Sequence, residues 1–266
     1  MSKSTTHLPS KSKELRDGTI RVFSIPGLPE IQAGDNLPKL IVDAARGARI
    51  TFESGDILVV AQKIVSKAEG RTVLLSTVTP SADALSLAAT VQNDPRMIEV
   101  ILHESRRIVR KGPRALIVET HHGFVCANAG VDRSNVPGAD AVTLLPKDPD
   151  NSARRLAAAL RKPTGKRLAV IISDTFGRPW RLGLTNVAIG AAGVPVLRDL
   201  RGTQDRSGKS LHATILAVAD ELAAAAGLAM GKTSGVPVVV IRGYRYRPAQ
   251  QNAASIIRPA DEDLFR

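Results

Sequence analysis

Residues Arg167–Gly183 read RLAVIISDTFGRPWRLG. Five consecutive apolar residues, Leu168 to Ile172, form a run short enough for a buried strand. The run then breaks into Ser173, Asp174 and Thr175, and a polar loop with Gly177 and Pro179 is expected to follow. Two other stretches repeat the pattern of an apolar run met by polar residues. GDILVVAQKIVSKAEG (55–70) starts as a buried strand and is expected to end in a polar, basic loop. VPVVVIRGY (236–244) reads as a final core strand.

Helical patterns lie between these strands. LPKLIVDAARGA (37–48) has helical spacing of apolar residues. SADALSLAATVQN (81–93) and DPRMIEVILHESRRIVRK (94–111) read as two helices, the second with Asp94 as N-cap and Pro95 at its first position. DNSARRLAAALRK (150–162) is a helix capped by Asp150 or a neighbour, and LHATILAVADELAAAAGLAMG (211–231) carries a long one. TIRVFSI (19–25), TVLLSTV (72–78) and DAVTLLP (140–146) are strand candidates, and ALIVET-HHG-FVCANAG (115–130) is a hairpin. VAIGAAGV (187–194) is strand or tight packing, and the C-terminal stretch is a loop with a helical turn. Interleaved strands and helices give an α+β or mixed α/β class. No repeat, low-complexity segment or linker divides the chain. A polar tail (1–18) is expected to precede a single domain (19–266).

Of the 266 residues, 43% are apolar, ordinary for a globular chain, and aromatics are few. Lys and Arg number 37 against 25 Asp and Glu, a formal charge of +12. Such an excess attracts anions without choosing among nucleic acid, anionic membrane and phosphorylated small molecules. Scattered basic residues, scarce aromatics and the lack of a nucleic-acid motif argue against a nucleic-acid partner. No stretch approaches the ~20 apolar residues of a spanning helix, and the N-terminus lacks the apolar core of a secretory signal. Cys126 is the only cysteine, which fits a reducing cytosol. A cytoplasmic location is the expectation.

Some motifs mislead. Gly231-Lys232-Thr233 ends like a phosphate-binding P-loop, but position 226 is Ala, and the segment follows a helix and precedes a strand. A glycine C-cap on that helix is the simpler reading. The five histidines have no zinc spacing. Cys126 reads as a small core residue.

Two strand-end loops carry the chemistry. Asp132 and Asn135 follow the hairpin, and Asp174 and Thr175 follow the strand at 168–172. Carboxylates and hydroxyls held at strand ends suit Mg²⁺ or Mn²⁺, with phosphate completing the shell. Lys63 and Lys67, four apart, would neutralise further phosphate charge. Taken alone, each Asp could equally be a turn former or cap.

The signatures VSKAEGR (65–71), NAGVDRSN (128–135) and SDTFGRPWRLG (173–183), in this order, resemble the coenzyme F420-0:L-glutamate ligase family, the γ-glutamyl ligases of the deazaflavin coenzyme. PGLPEI (26–31), LLPKDPDNSA (144–153) and VADELAAAAGLAMGKTSGVPVVVIRG (218–243) extend the likeness over most of the chain. The resemblance implies a fold of two intertwined lobes and a homodimer. It implies that GTP phosphorylates the terminal carboxylate of F420-0, that L-glutamate displaces the phosphate, and that γ-linked extension can follow. It further implies one or two divalent ions and potassium. Carried over by residue, Asp132 and Asp174 bind one ion and Thr175 binds a second; Asp132, Asp174 and Lys67 are the catalytic candidates. Leu28, Pro29, Glu30, Ile31, Gln62, Lys63, Lys67 and Asn135 line the nucleotide site. Met230, Gly231, Lys232, Thr233, Ser234, Gly235, Val236 and Pro237 close over it. Relatives often have acidic residues where this chain has Lys232-Thr233-Ser234, which would deprive a second ion of a carboxylate. Alternatives are a ligase acting on a different carboxylate and a non-catalytic nucleic-acid-binding module.

Overall fold

A computed structural model describes residues 18–113, 115–133, 140–231 and 233–263. Along the chain the elements are β1 (Arg21–Ser24), α1 (Leu37–Gly47), β2 (Ile57–Ala61), α2 (Gln62–Ala68), β3 (Thr72–Leu74), α3 (Ala82–Val91), α4 (Pro95–His103), β4 (Ser105–Gly112), β5 (Ala115–Thr120) and β6 (Val125–Ala127). They continue with β7 (Ala141–Thr143), α5 (Pro149–Thr164), β8 (Ala169–Arg178), β9 (Arg181–Ala192), β10 (Arg198–Asp199), β11 (Ile215–Leu216), α6 (Val218–Met230) and β12 (Val238–Arg242). The class is α+β, as expected.

The central sheet has the order β1-β12-β2-β8-β9; β2 and β8 run parallel and the other neighbours antiparallel. Helices cover both of its faces, which is why its inner strands are apolar without alternation. Leu58, Val60, Val170, Ile172, Val238 and Val240 face one core, with α1 and α5. Ile57, Val59, Ala169, Ile171, Val239 and Ile241 face the other, with α6. A third core belongs to the excursion between α2 and α5, where α3 and α4 pack on the sheet β4-β5-β6. The two parts are joined at β3–β7 and by Arg71, which binds Leu145 O at 2.9 Å and Glu104 at 2.6 Å.

Helix starts follow local chemistry. Asn36 caps α1 by accepting from Lys39 N, and Asp94 caps α4 by accepting from Arg96 N, with Pro95 at the first position. Asp148 caps α5. Asp150 does not; its buried carboxylate accepts from Ala191 N and Ala253 N, tying β9 and the C-terminal segment to α5.

Four expectations are corrected. Residues 62–68 form a helix and not a polar loop: Ile64, Val65 and Ala68 bury one flank, while the Ala61 N-cap position has no side-chain bond to announce the start. The helix expected over 94–111 stops at His103, because Arg107, Ile108 and Arg110 pair with Glu119, Val118 and Ile117 of β5 as β4. The loop expected after Ile172 is strand to Arg178, because Leu184, Thr185 and Asn186 of β9 supply the pairing. The expected strand at 72–78 is shorter; residues 75–77 are a 3-10 turn. The hairpin at β5–β6 and the glycine ending α6 are as expected, with Gly231 at φ 60°.

Candidate active site

The site lies where β2 and β8 end side by side. Ala61 stands opposite Ser173 in parallel register. The chain leaving β2 turns at once into α2, so Lys63 comes to the end of the sheet where β8 carries Asp174 and Thr175. Lys63 Nζ lies 2.8 Å from Asp132 Oδ2. That ion pair brings Asp132, from the other part of the molecule, to the sheet end that bears Asp174.

Asp132 is held on both sides. Its backbone exchanges two hydrogen bonds with Thr143, at 3.0 and 2.9 Å. The next residue, Arg133, binds Asp94 at 3.1 Å and reaches Met97 Sδ, fastening the turn to α4. The turn needs backbone that ordinary residues avoid: Asn128, Ala129 and Gly130 all have positive φ. A Cβ on Gly130 would lie 2.8 Å from the Leu145 side chain, so only glycine fits.

Successive residues of a strand face opposite sides. Phe176, two residues from Asp174, packs on the α1/α5 core and meets Phe124 edge-on at 6.3 Å. Asp174 shares that face. The Cys126 thiol of β6 is pushed up to about 12, first by burial and then by the negative charge of Asp174. β6 therefore approaches β8 at Asp174, and Cys126 is an inert core thiol at neutral pH. Thr175 points to the α6 side, where its hydroxyl donates to Asn186 Oδ1 at 3.2 Å.

Two carboxylates and a hydroxyl are hard oxygen donors, chemically suited to Mg²⁺ or Mn²⁺. Among the described residues no group of three or more His, Cys, Asp or Glu side chains is placed to hold a metal. An ion here would draw the rest of its shell from phosphate or water, the usual habit of Mg²⁺. Lys63 already sets a cation against Asp132, which shows that this carboxylate accepts positive charge in place.

Comparison with known proteins bears on the family. The family model described as F420-0:gamma-glutamyl ligase matches residues 27–243. The coenzyme F420:L-glutamate ligase of Methanothermobacter thermautotrophicus is 46% identical over 250 residues, 93% of this chain and 99% of that protein. Those of Methanopyrus kandleri (46% over 253 residues, 93% and 98%) and Methanocaldococcus jannaschii (43% over 242 residues, 90% and 94%) are also similar. The chain belongs to the F420-0:gamma-glutamyl ligase family.

The residues that the F420-0:gamma-glutamyl ligase likeness marks for the nucleotide are distributed unevenly. Lys67 is buried, with 7% exposure, and its ammonium is paired with Glu30. That pair draws the 28–31 segment to α2. Ile31 is a core residue and Leu28 packs against the same core, so only Pro29 and Glu30 of the four are exposed. Gln62 is buried too; its Oε1 accepts from Ser66 at 2.8 Å, and Nε2 has no partner among the described residues. Ser173 Oγ and Thr143 Oγ1 are likewise buried without a partner among the described residues. Met230 sits in the α6 core, Ser234 donates to its carbonyl, and Thr233 and Gly235 are exposed. Val236 and Pro237 lead into β12, where Pro237 O accepts from Ala61 N at 2.8 Å. Gly231 ends α6. Asn135 and Lys232 lie outside the described residues.

The sequence reading passed over Asn186 and Arg133. A lone amide at the head of the apolar run NVAIGAA (186–192) was the available signal for Asn186. Arg133 was part of the quoted motif, but nothing local tells that it binds α4, about 40 residues earlier in the chain.

Proposed function

We propose that this chain joins L-glutamate to the terminal carboxylate of coenzyme F420-0, with GTP as co-substrate and Mg²⁺ or Mn²⁺ as the activating ion. The reaction rests on the family and on relatives named for it. The use of nucleotide and ion rests on one observation: Lys63 binds Asp132 at the end of the sheet that carries Asp174.

In this reading a carboxylate oxygen of F420-0 attacks the γ-phosphorus of GTP, and the bond to GDP breaks. The glutamate α-amine then attacks the acyl carbon, phosphate leaves, and the amine gives up its proton as the amide forms. A carboxylate is a poor electrophile; the phosphoryl group supplies a leaving group. A bound divalent ion would spread the charge of the transferring phosphoryl group. Asp132 and Asp174 would hold it, with Thr175 serving a second ion. Lys63 and Lys67 place ammonium groups beside the phosphate path, and Lys67 is kept in one position by Glu30 and its own burial. Little covalent work falls to the protein, and positioning with fixed charge does most of it.

The same chemistry on a different carboxylate is the second reading, and an acceptor screen by mass spectrometry separates the two. A homodimer is also proposed. The β8–β9 hairpin reaches past the sheet with Trp180 79%, Leu182 99% and Leu184 64% exposed, apolar side chains that a second copy would cover. Potassium belongs to the proposal as a further activating ion, tested by replacing it with sodium.

Purified protein with F420-0, GTP, Mn²⁺ and L-glutamate should yield a product heavier by one glutamyl residue. Asp132→Asn and Asp174→Asn should each lower turnover by at least about 1,000-fold, the loss of a principal charge-stabilising group, with unchanged melting temperature. Near-normal rates in both variants would refute the ion assignment.

A further inference from the structure

Asn186 holds together three elements at the far side of the site. It stands opposite Thr175 in the β8–β9 register. Its Oδ1 accepts the Thr175 hydroxyl at 3.2 Å, and its Nδ2 reaches Met230 Sδ, at the last residue of α6, at 3.6 Å. The helix makes room for it. Gly227 lies inside α6, where glycine is less favourable than alanine. A Cβ there would stand 3.0 Å from Asn186 Cγ and 3.2 and 3.3 Å from its two terminal atoms. A helix that carries this cost against one amide side chain is shaped around that amide.

The direction of the Thr175 bond decides its consequence. An amide oxygen only accepts, so the single hydroxyl proton of Thr175 points at Asn186. A hydroxyl whose proton is committed can take any further partner only through its oxygen lone pairs. Those suit a cation and do not suit a phosphate oxygen, which would need the proton.

We propose that Asn186 is a positioning residue that fixes the Thr175 hydroxyl in the orientation of a cation ligand, itself held in place by Met230 at the end of α6. The inference rests on the proposed use of GTP and a divalent ion. An outer partner of this kind typically changes metal affinity about 10–100-fold when removed.

The test reads Mn²⁺ binding directly, from the free-ion electron spin resonance signal during titration in the presence of GTP. Asn186→Leu keeps the bulk and loses the acceptor; it should weaken Mn²⁺ binding at least about tenfold. Asn186→Asp keeps an accepting oxygen and should bind at least as tightly as the natural protein. Gly227→Ala crowds Asn186 without altering it and should reproduce the loss, which keeps the test open if Asn186→Leu folds poorly. Thr175→Val should weaken binding alone, and adding Asn186→Leu to it should cost nothing more, because the amide acts through the hydroxyl. Additive losses, or unchanged Mn²⁺ affinity in Asn186→Leu, would reduce Asn186 to a packing residue and overturn the inference. Failure of the natural protein to take up Mn²⁺ with GTP would overturn the proposed function as well.

Discussion

Lys67 places a charged nitrogen in a setting that excludes most water, beside the Glu30 carboxylate, which itself remains in solvent. Replacing it by Met keeps the buried stem and leaves Glu30 in solvent. The fold should therefore survive within about 1 kcal/mol, whereas turnover should fall at least about 100-fold if the ammonium faces phosphate; thermal melts and steady-state rates check both. The sequence made Lys63 and Lys67 legible as a cationic pair from their spacing alone. It misjudged their carrier, since four residues apart is also one turn of a helix. Asp132 and Asp174 were legible as carboxylates after apolar runs, but the pairing of Asp132 with Lys63 was not. Nothing within ten residues of either side chain encodes the other.

Two predictions belong to elements. A Cβ on Gly190 of β9 would lie 2.3 Å from Pro149 O. That atom is backbone and cannot swing aside, so Gly190→Ala should destabilise the protein by about 3 kcal/mol, measured by chemical denaturation. Asp220, in the first turn of α6, accepts from Ala188 N, yet burial pushes its carboxyl above the ordinary value of 3.8. A carboxyl raised in the fold opposes folding once ionised, and that cost appears as pH rises through 3.8. Asp220→Asn keeps an accepting oxygen. Its melting temperature should exceed that of the natural protein at pH 7, and the difference should close below pH 3.8. Element types were readable where a cap or a long apolar period marked them, as at Asp94 with Pro95. They were misread where a hairpin with the next strand decided the matter, as in the outer half of β8, which pairs with β9, and in β4, which pairs with β5. The start of α2 was hidden because no side chain caps it.

At the scale of the molecule, the apolar hairpin tip and the basic charge are both surface properties. Substituting Trp180 and Leu182 together by Glu should convert a dimer to a monomer, read by sedimentation velocity, with the fold retained because neither side chain packs in a core. A natural protein that sediments as a monomer would remove the dimer proposal. The charge of +12 is not spent wholly on substrates. Arg106, Arg107, Arg110 and Lys111 lie exposed along β4, at one edge of the sheet β4-β5-β6, where like charges keep a second strand from adding. No helix among the described residues is long and apolar enough to cross a membrane.

The sequence by itself determined the α+β class, the buried strands, most helix starts and the motifs that identify the family, because each depends on residues close together along the chain. The tertiary structure alone decided that Lys63 would meet Asp132, that Asp174 and Thr175 would face opposite sides of one long strand, and that Asn186 would hold the second of them. Those relations are set by strand register and by packing between distant segments, and no local pattern carries that information.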